Sequence, residues 1–194
     1  MASSEKCLIL FAGPNGSGKS TLYNMMQEYS GIPRINIDDI ARKMGSWTDD
    51  RVQIQAGKEA IKLQEKYLTK GISFNQETTL CGHRIFDIIR RAKSQDYRIK
   101  IFFVGLESAE ICKQRIEARV ALGGHGIPEE DVERRYIQSI ENMKEALMLC
   151  DIASFYDNTC TMRLVSSFDG TNLNEYSDDI PGWYSKNFKG FSFE

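Results

Sequence analysis

Bulky apolar residues come in short runs along this chain, with longer stretches of mixed polarity between them. CLILFA (7–12), RINI (34–37), ISFNQE (72–77), IKIFFVGL (99–106), IASFYD (152–157) and MRLVSSF (162–168) have the length and apolar content of buried or half-buried strands. The intervening segments carry helical spacing. One helix is expected to start near Lys19 and end by Tyr29. Over 51–69, Ile54, Ile61 and Leu68 recur at seven-residue steps and mark one helix face. A short helix is expected over 84–94. Over 108–122, Ala109, Cys112, Ile116 and Val120 share a face. The clearest amphipathic stripe is Val132, Tyr136, Ile140, Met143, Leu147 and Cys150, within 129–150. Strand–helix alternation of this kind predicts an α/β fold with a mainly parallel sheet flanked by helices. No internal repeat, low-complexity tract or linker divides the chain, so one domain over 1–194 is expected. The polar tail from Gly170 to 194 carries Trp183, Tyr184, Phe188 and Phe191. Two readings of it are open: an extension that docks its rings on the core, or a chain end that is partly disordered.

The first apolar run leads into Gly13-Pro14-Asn15-Gly16-Ser17-Gly18-Lys19-Ser20-Thr21, which fits G-x-x-x-x-G-K-[ST]. Chemistry requires this spacing. Glycines let the backbone curl around an anion with its N–H groups pointing inward. The helix that follows begins at the phosphates, so its positive end faces them. Lys19 can reach the β- and γ-phosphates, and the Ser20 hydroxyl can bind Mg²⁺, a cation that prefers hard oxygen ligands. The loop sits after a strand and before a helix, the context that makes it a nucleotide grip rather than a glycine-rich turn.

Composition narrows the partners. The formal net charge is −2, which gives no global attraction for nucleic acid. Hydrophobic residues make up 41% of the chain, enough for an ordinary core, and no apolar run is long enough to span a bilayer. Cys7, Cys81, Cys112, Cys150 and Cys160 include no Cys-x-x-Cys pair, and their odd number favours reduced thiols. The opening MASSEK lacks a signal-peptide pattern, so a cytoplasmic protein is expected.

Other phosphate-loop classes lack their marks here. There is no Asn-Lys-x-Asp for guanine, and the one Asp-x-x-Gly, at Asp179–Gly182, lies in the tail. A Ser-Gly-Gly-Gln signature of transport ATPases is absent, and the chain is short for a motor ATPase. A small kinase remains, and each part of one has a candidate. Asn36-Ile37-Asp38-Asp39 follows the second strand, whose C-terminal end opens on the same crevice as the loop. A carboxylate there could orient and deprotonate an acceptor hydroxyl, or it could simply cap the next helix, IARKM. Glu77 ends the third strand, where it could hold a water of the Mg²⁺ shell or bind the acceptor; Thr78 and Thr79 could equally lead into a helix cap. Arg115 and Arg119 share a helix face. Beyond them come the hinge Gly123–Pro128, with His125 inside it, and then Arg134 and Arg135. Two arginine-bearing helices around a flexible link suit a lid, about 108–136, that closes over a triphosphate. Neighbouring acidic residues allow the alternative of a solvated charged face. Tyr156-Asp157-Asn158 ends a strand and reads either as a contact to the nucleotide base or as a structural turn.

Taken together, AGPNGSGKST, NIDDIAR, GISFNQETTL, RIEARVALGGHGIPEEDVERRYIQSIENM and DIASFYDNT resemble the zeta-toxin family of phosphate-loop kinases, especially its compact members. The match runs in family order from residue 7 to about 168. The resemblance implies a kinase that uses ATP or GTP with Mg²⁺; in the best-known members the acceptor is the 3′-hydroxyl of a UDP-N-acetyl amino sugar. It implies Asp38 as catalytic base, with Lys19, Arg119 and Arg135 at the transferring phosphate and Arg115 and Arg134 as nearby alternatives to those arginines. It also implies Glu77 at a substrate-binding or metal-shell position, Thr78 and Asn36 on the acceptor side, Ser20 at the metal, and an antitoxin protein as a partner. The large toxins carry an Arg and then His-Pro soon after Asn-x-Asp, whereas this chain continues IARKMGSWTDD, so the segment flanking the acceptor pocket differs. Two other readings of the same loop are a nucleotide-dependent switch with slow hydrolysis and a polynucleotide end kinase, which the acidic balance disfavours.

Overall fold

A computed structural model describes residues 5–45, 49–124 and 126–191. His125 and the central part of the divergent segment, residues 46–48, lie outside the described residues, as do 1–4 and 192–194. The element order is β1 (Cys7–Ala12), α1 (Lys19–Met25), β2 (Arg34–Ile35), α2 (Ile37–Met44), α3 (Asp50–Lys70), β3 (Phe74–Thr78), α4 (Arg84–Lys93), β4 (Arg98–Gly105), α5 (Ala109–Ala121), α6 (Glu129–Leu149), β5 (Ile152–Asp157), β6 (Arg163–Phe168), β7 (Leu173–Glu175) and α7 (Gly182–Phe188). The strands form one sheet in the order β2-β3-β1-β4-β5-β6-β7. Pairing is parallel from β2 through β5 and antiparallel for β6 and β7.

The central strand explains why the chain folds this way. All six residues of β1 are buried, and its side chains alternate between two cores. Leu8, Leu10 and Ala12 face a large cluster supplied by α3, α4, α6 and α7, and Cys7, Ile9 and Phe11 face a smaller one with Leu22 of α1. β1 lies between β3 and β4, with β2 beyond β3 and β5 beyond β4. Chain direction across the sheet therefore reverses beside the end of β1, the place where parallel α/β sheets open a binding crevice.

Several expectations change. The first helix stops at Met25, and a single 3₁₀ turn at Gln27–Tyr29 completes the segment. On α3 the seven-residue stripe is buried only at Leu68: Ile54 is 60% exposed, and Ala56, Ala60 and Gln64 join Leu68 on the inward face. Val120 of α5 is also exposed. The tail docks. Trp183, Tyr184 and Phe188 are buried against Phe103 and Phe155, with ring centroids 4.8–5.8 Å apart across that contact. All five cysteines are free. Burial pushes the Cys112 thiol up to about 11 and that of Cys150 to about 12, so neither is a thiolate at neutral pH. No helix among the described residues is long and apolar enough to cross a membrane.

Candidate active site

Gly13 to Ser17 turn off the end of β1, and Gly18, at φ 100°, delivers the chain into α1. The glycines are dictated by neighbours as well as by backbone angle. A Cβ on Gly13 would sit 2.2 Å from the Val104 carbonyl oxygen, and one on Gly18 would sit 2.5 Å from Asn158 Nδ2. That Asn158 amide donates to the Ser17 carbonyl at 2.8 Å and so braces the loop from the end of β5. Lys19 is almost fully buried, and its Nζ donates to the Pro14 carbonyl at 2.9 Å. Burial holds its ammonium below the usual lysine value, partly offset by the Glu77 carboxylate. An ammonium kept in a poorly solvated loop and tied only to a carbonyl is ready for an anion.

Beside the loop lies a cleft of about 320 Å³ lined by Asn15, Lys19, Asn36, Asp38, Gln76, Glu77, Thr78, Thr79 and Cys81, among others. The fold thus brings Lys19, Asn36, Asp38, Glu77 and Thr78, read separately from the sequence, onto one concave surface. A larger cavity of about 750 Å³ lies at the other end of the strands, near Arg98, Asp151 and Gly170, and includes no phosphate-loop residue. Volume does not locate chemistry here; the loop does.

Within the cleft, Asn36 caps α2, its Oδ1 accepting from the N–H groups of Asp38 and Asp39 at 2.9 and 3.2 Å. The cap that the sequence offered to either aspartate therefore belongs to Asn36. Asp39 turns to Arg42 at 3.2 Å, and Asp38 is left at the cleft. Glu77 is a junction: its Oε2 accepts from Ser20 Oγ at 2.7 Å, Arg34 Nη2 at 2.9 Å and Asn36 Nδ2 at 2.8 Å. It does not cap α4, whose N-cap position is His83. Beyond it Thr78 Oγ1 accepts from the Leu80 N–H, and buried Leu80 takes φ 59°, a left-handed conformation costly for a leucine. Asn142 of α6 holds that turn by donating to the Leu80 carbonyl at 2.7 Å.

The arginines divide. Arg115 is structural in this state, donating to the Asn158 carbonyl at 2.7 Å. Arg119 lies close enough to Lys19 for their charges to repel. Arg134 and Arg135 both pair with Asp131, and they border a second cleft of about 350 Å³ that shares Thr79 and Cys81 with the first. Asp157 is a structural turn residue: buried, it accepts from Trp183 Nε1 at 3.0 Å and Thr159 Oγ1 at 2.7 Å. Two residues of the cleft region escaped the sequence reading, Arg34 and Gln76, and Asn158, read as a base contact or a turn, instead braces the phosphate loop. Arg34 could have been suspected as a charge at a strand end two residues before Asn-x-Asp; nothing local marks Gln76.

A magnesium ion suits the donors present. Ser20 Oγ and the Glu77 carboxylate are hard oxygen donors next to the loop, the kind that could hold such an ion alongside water and phosphate oxygens. Among the described residues no cluster of three or more His, Cys, Asp or Glu forms a cage of protein ligands.

Comparison with known proteins agrees with this geometry. The family model described as "AAA domain" matches residues 8–142, from β1 into α6. A Haemophilus influenzae protein described as "Uncharacterized protein" is 37% identical over 128 residues, which is 66% of this chain and 91% of that protein. Among solved structures, a chain from the PezAT chromosomal toxin-antitoxin system of Streptococcus pneumoniae superposes with TM-score 0.68 at 16% identity, over 98% of this chain and 81% of its own. A chain of the AvrRxo1-ORF1:-ORF2 structure with ATP reaches TM-score 0.70 at 12% identity, over 94% of this chain and 63% of its own. At these identities the likeness is one of fold, and it is the phosphate-loop α/β fold expected from the motifs. The chain belongs to the AAA domain family and shares the phosphate-loop α/β fold of the solved structures it superposes on.

Proposed function

We propose that this protein is a small-molecule phosphotransferase that moves the γ-phosphate of ATP or GTP to an acceptor hydroxyl. The observation that carries the reading is the position of Asp38: a carboxylate freed from capping by Asn36, lining the same cleft as Lys19. A carboxylate in that position suits deprotonation of a hydroxyl set in line with the γ-phosphate. In the proposed step the acceptor hydroxyl gives its proton to Asp38 as its oxygen bonds to the γ-phosphorus. The bond from that phosphorus to the β–γ bridging oxygen breaks, and a nucleoside diphosphate leaves. Gly13 to Thr21 hold the phosphates, and Lys19 with Arg119 and Arg135 neutralise the charge that develops on them. Mg²⁺, bound at Ser20, would neutralise phosphate oxygens. Thr78 and Asn36 flank the acceptor, and Glu77 stands between them and Ser20, on the acceptor or on the metal shell. The amide- and hydroxyl-rich lining supports an oxygen-rich acceptor such as the sugar of a UDP-N-acetyl amino sugar. Toxin–antitoxin function and an antitoxin partner are supported by fold likeness to the pneumococcal chain.

The test is Asp38→Asn. Proton acceptance should be lost and turnover should fall by roughly 10²–10⁴-fold, the usual worth of a general base. Nucleotide affinity should change far less than turnover, because no hydrogen bond or ion pair joins Asp38 to the loop among the described residues and its charge only adds to the field at Lys19. Undiminished transfer to the acceptor would remove the base assignment.

A further inference from the structure

The three hydrogen bonds to Glu77 all fall on one oxygen, Oε2, and its other oxygen accepts none among the described residues while the side chain lines the cleft. Arg34 supplies the one charged donor. It is held from the other side: its guanidinium lies 3.7 Å over the Tyr23 ring, and Tyr23 stands edge-on to Phe11 at 5.3 Å. Tyr23 is on α1, the helix that carries Lys19 and Ser20. Arg34 therefore ties α1, the sheet-edge strand β2 and the end of β3 together at one carboxylate. Its side chain is only 17% exposed, so the pair with Glu77 is better shielded than the surface ion pairs elsewhere on the molecule. The Ser20 hydroxyl has one proton, spent on Glu77, so lone pairs are what it keeps for a cation.

We propose that Arg34, with Tyr23 beneath it, is a positioning residue for the metal shell: it pins one oxygen of Glu77 so that the other is presented to the water shell of a Mg²⁺ ion beside Ser20. The proposal rests on reading this cleft as a Mg²⁺–nucleotide site and assigns Glu77 to the metal side of it. Arg34 does not touch the phosphate loop, so its effect runs through the cation and not through the nucleotide.

The experiment titrates a fluorescent N-methylanthraniloyl ATP into the intact protein, once in excess EDTA and once in saturating Mg²⁺. The ratio of the two dissociation constants measures how much the cation tightens binding. Thermal unfolding of each variant is recorded alongside. Glu77→Gln should remove most of the Mg²⁺ tightening. Arg34→Met should reduce it about tenfold, as loss of a partner behind a metal ligand commonly does. Arg34→Lys should recover part of it, and Tyr23→Leu should lower it in the same direction, while the EDTA constants stay within about twofold of the parent protein. If Glu77→Gln changes the ratio and no Arg34 or Tyr23 variant does, the positioning role is overturned while the nucleotide site stands. If Glu77→Gln leaves the ratio intact, Glu77 is not in the metal shell and the proposal falls with it. If the parent protein binds the nucleotide with no Mg²⁺ dependence, the proposal falls and so does the metal reading of Ser20. A lowered melting temperature with an unchanged ratio would make Arg34 merely structural. Should Arg34→Met not fold, Arg34→Lys and Tyr23→Leu decide the same question.

Discussion

Replacing Trp183 with Phe asks whether the C-terminal segment is part of the folding unit or an ornament on it. The indole is 2% exposed and its Nε1 donates to Asp157 Oδ1 at 3.0 Å, in a place where Asp157 is itself 4% exposed. Phe keeps most of the apolar contact with Phe103 but cannot donate. Losing a hydrogen bond to a buried carboxylate costs about 1.5–3 kcal/mol. The smaller ring also leaves a gap beside Gly105, whose missing Cβ would lie 2.4 Å from the indole, and a partly relaxed gap of this kind adds about 1 kcal/mol. The total of about 3 kcal/mol corresponds, for a chain of this size, to a melting temperature lowered by about 6–12 °C. Circular dichroism melts of the two proteins read this directly. A shift below about 2 °C would mean that the tail contributes little and that the contact with Asp157 is incidental.

Other outcomes follow from the same geometry. Gly18→Ala places a methyl group against Asn158 and strains a backbone at φ 100°; at about 1–3 kcal/mol of strain it should weaken binding of a fluorescent ATP by roughly tenfold or more, read by titration. Lys19→Met should abolish that binding yet raise the melting temperature of the ligand-free protein. Burial has lowered the lysine's pKa from 10.5, so the unfolded chain holds the proton more tightly and the charge opposes folding at neutral pH; the parent protein should approach the variant as the pH rises toward 10.5. The Pro14 carbonyl keeps the Ser17 N–H in that variant, so no new orphan acceptor offsets the gain. Asp169→Ala should cost stability at pH 7, because the Thr171 and Asn172 N–H groups hold that carboxyl well below its usual range. The difference should be complete above about pH 5 and shrink as the pH falls through the carboxylate range, seen in melts across pH.

Much of the architecture was legible because it is written locally. The phosphate loop, its strand and its helix form one contiguous motif, and the stripe from Val132 to Cys150 buries as its spacing requires. The inward face of α3 was misread for a physical reason. Seven residues make slightly less than two helical turns, so a heptad stripe drifts, and the residues that do face the core include two alanines and a glutamine. Gln64 faces inward because it donates to Gln76 of β3 at 2.8 Å, a pairing that hydrophobicity cannot reveal. β7 and α7 are too short for periodicity to find, and α7 is fixed by rings meeting Phe103 and Phe155 from distant strands. At the site, Asp38 and Glu77 stood out by position at strand ends. Their different partners did not, because those depend on Asn36 taking the cap and Arg34 crossing from β2 to β3.

The central claim is transfer to a small-molecule hydroxyl, and a product assay tests it most directly. The protein would be incubated with Mg²⁺, ATP or GTP, and a panel of UDP-sugars, nucleosides and oligonucleotides, with mass spectrometry of every component. The account predicts that one small-molecule acceptor gains a single phosphate as nucleoside diphosphate appears, and that the product vanishes with Asp38→Asn. Nucleoside diphosphate formed with every acceptor left unmodified, or phosphate found on oligonucleotide ends alone, would contradict it.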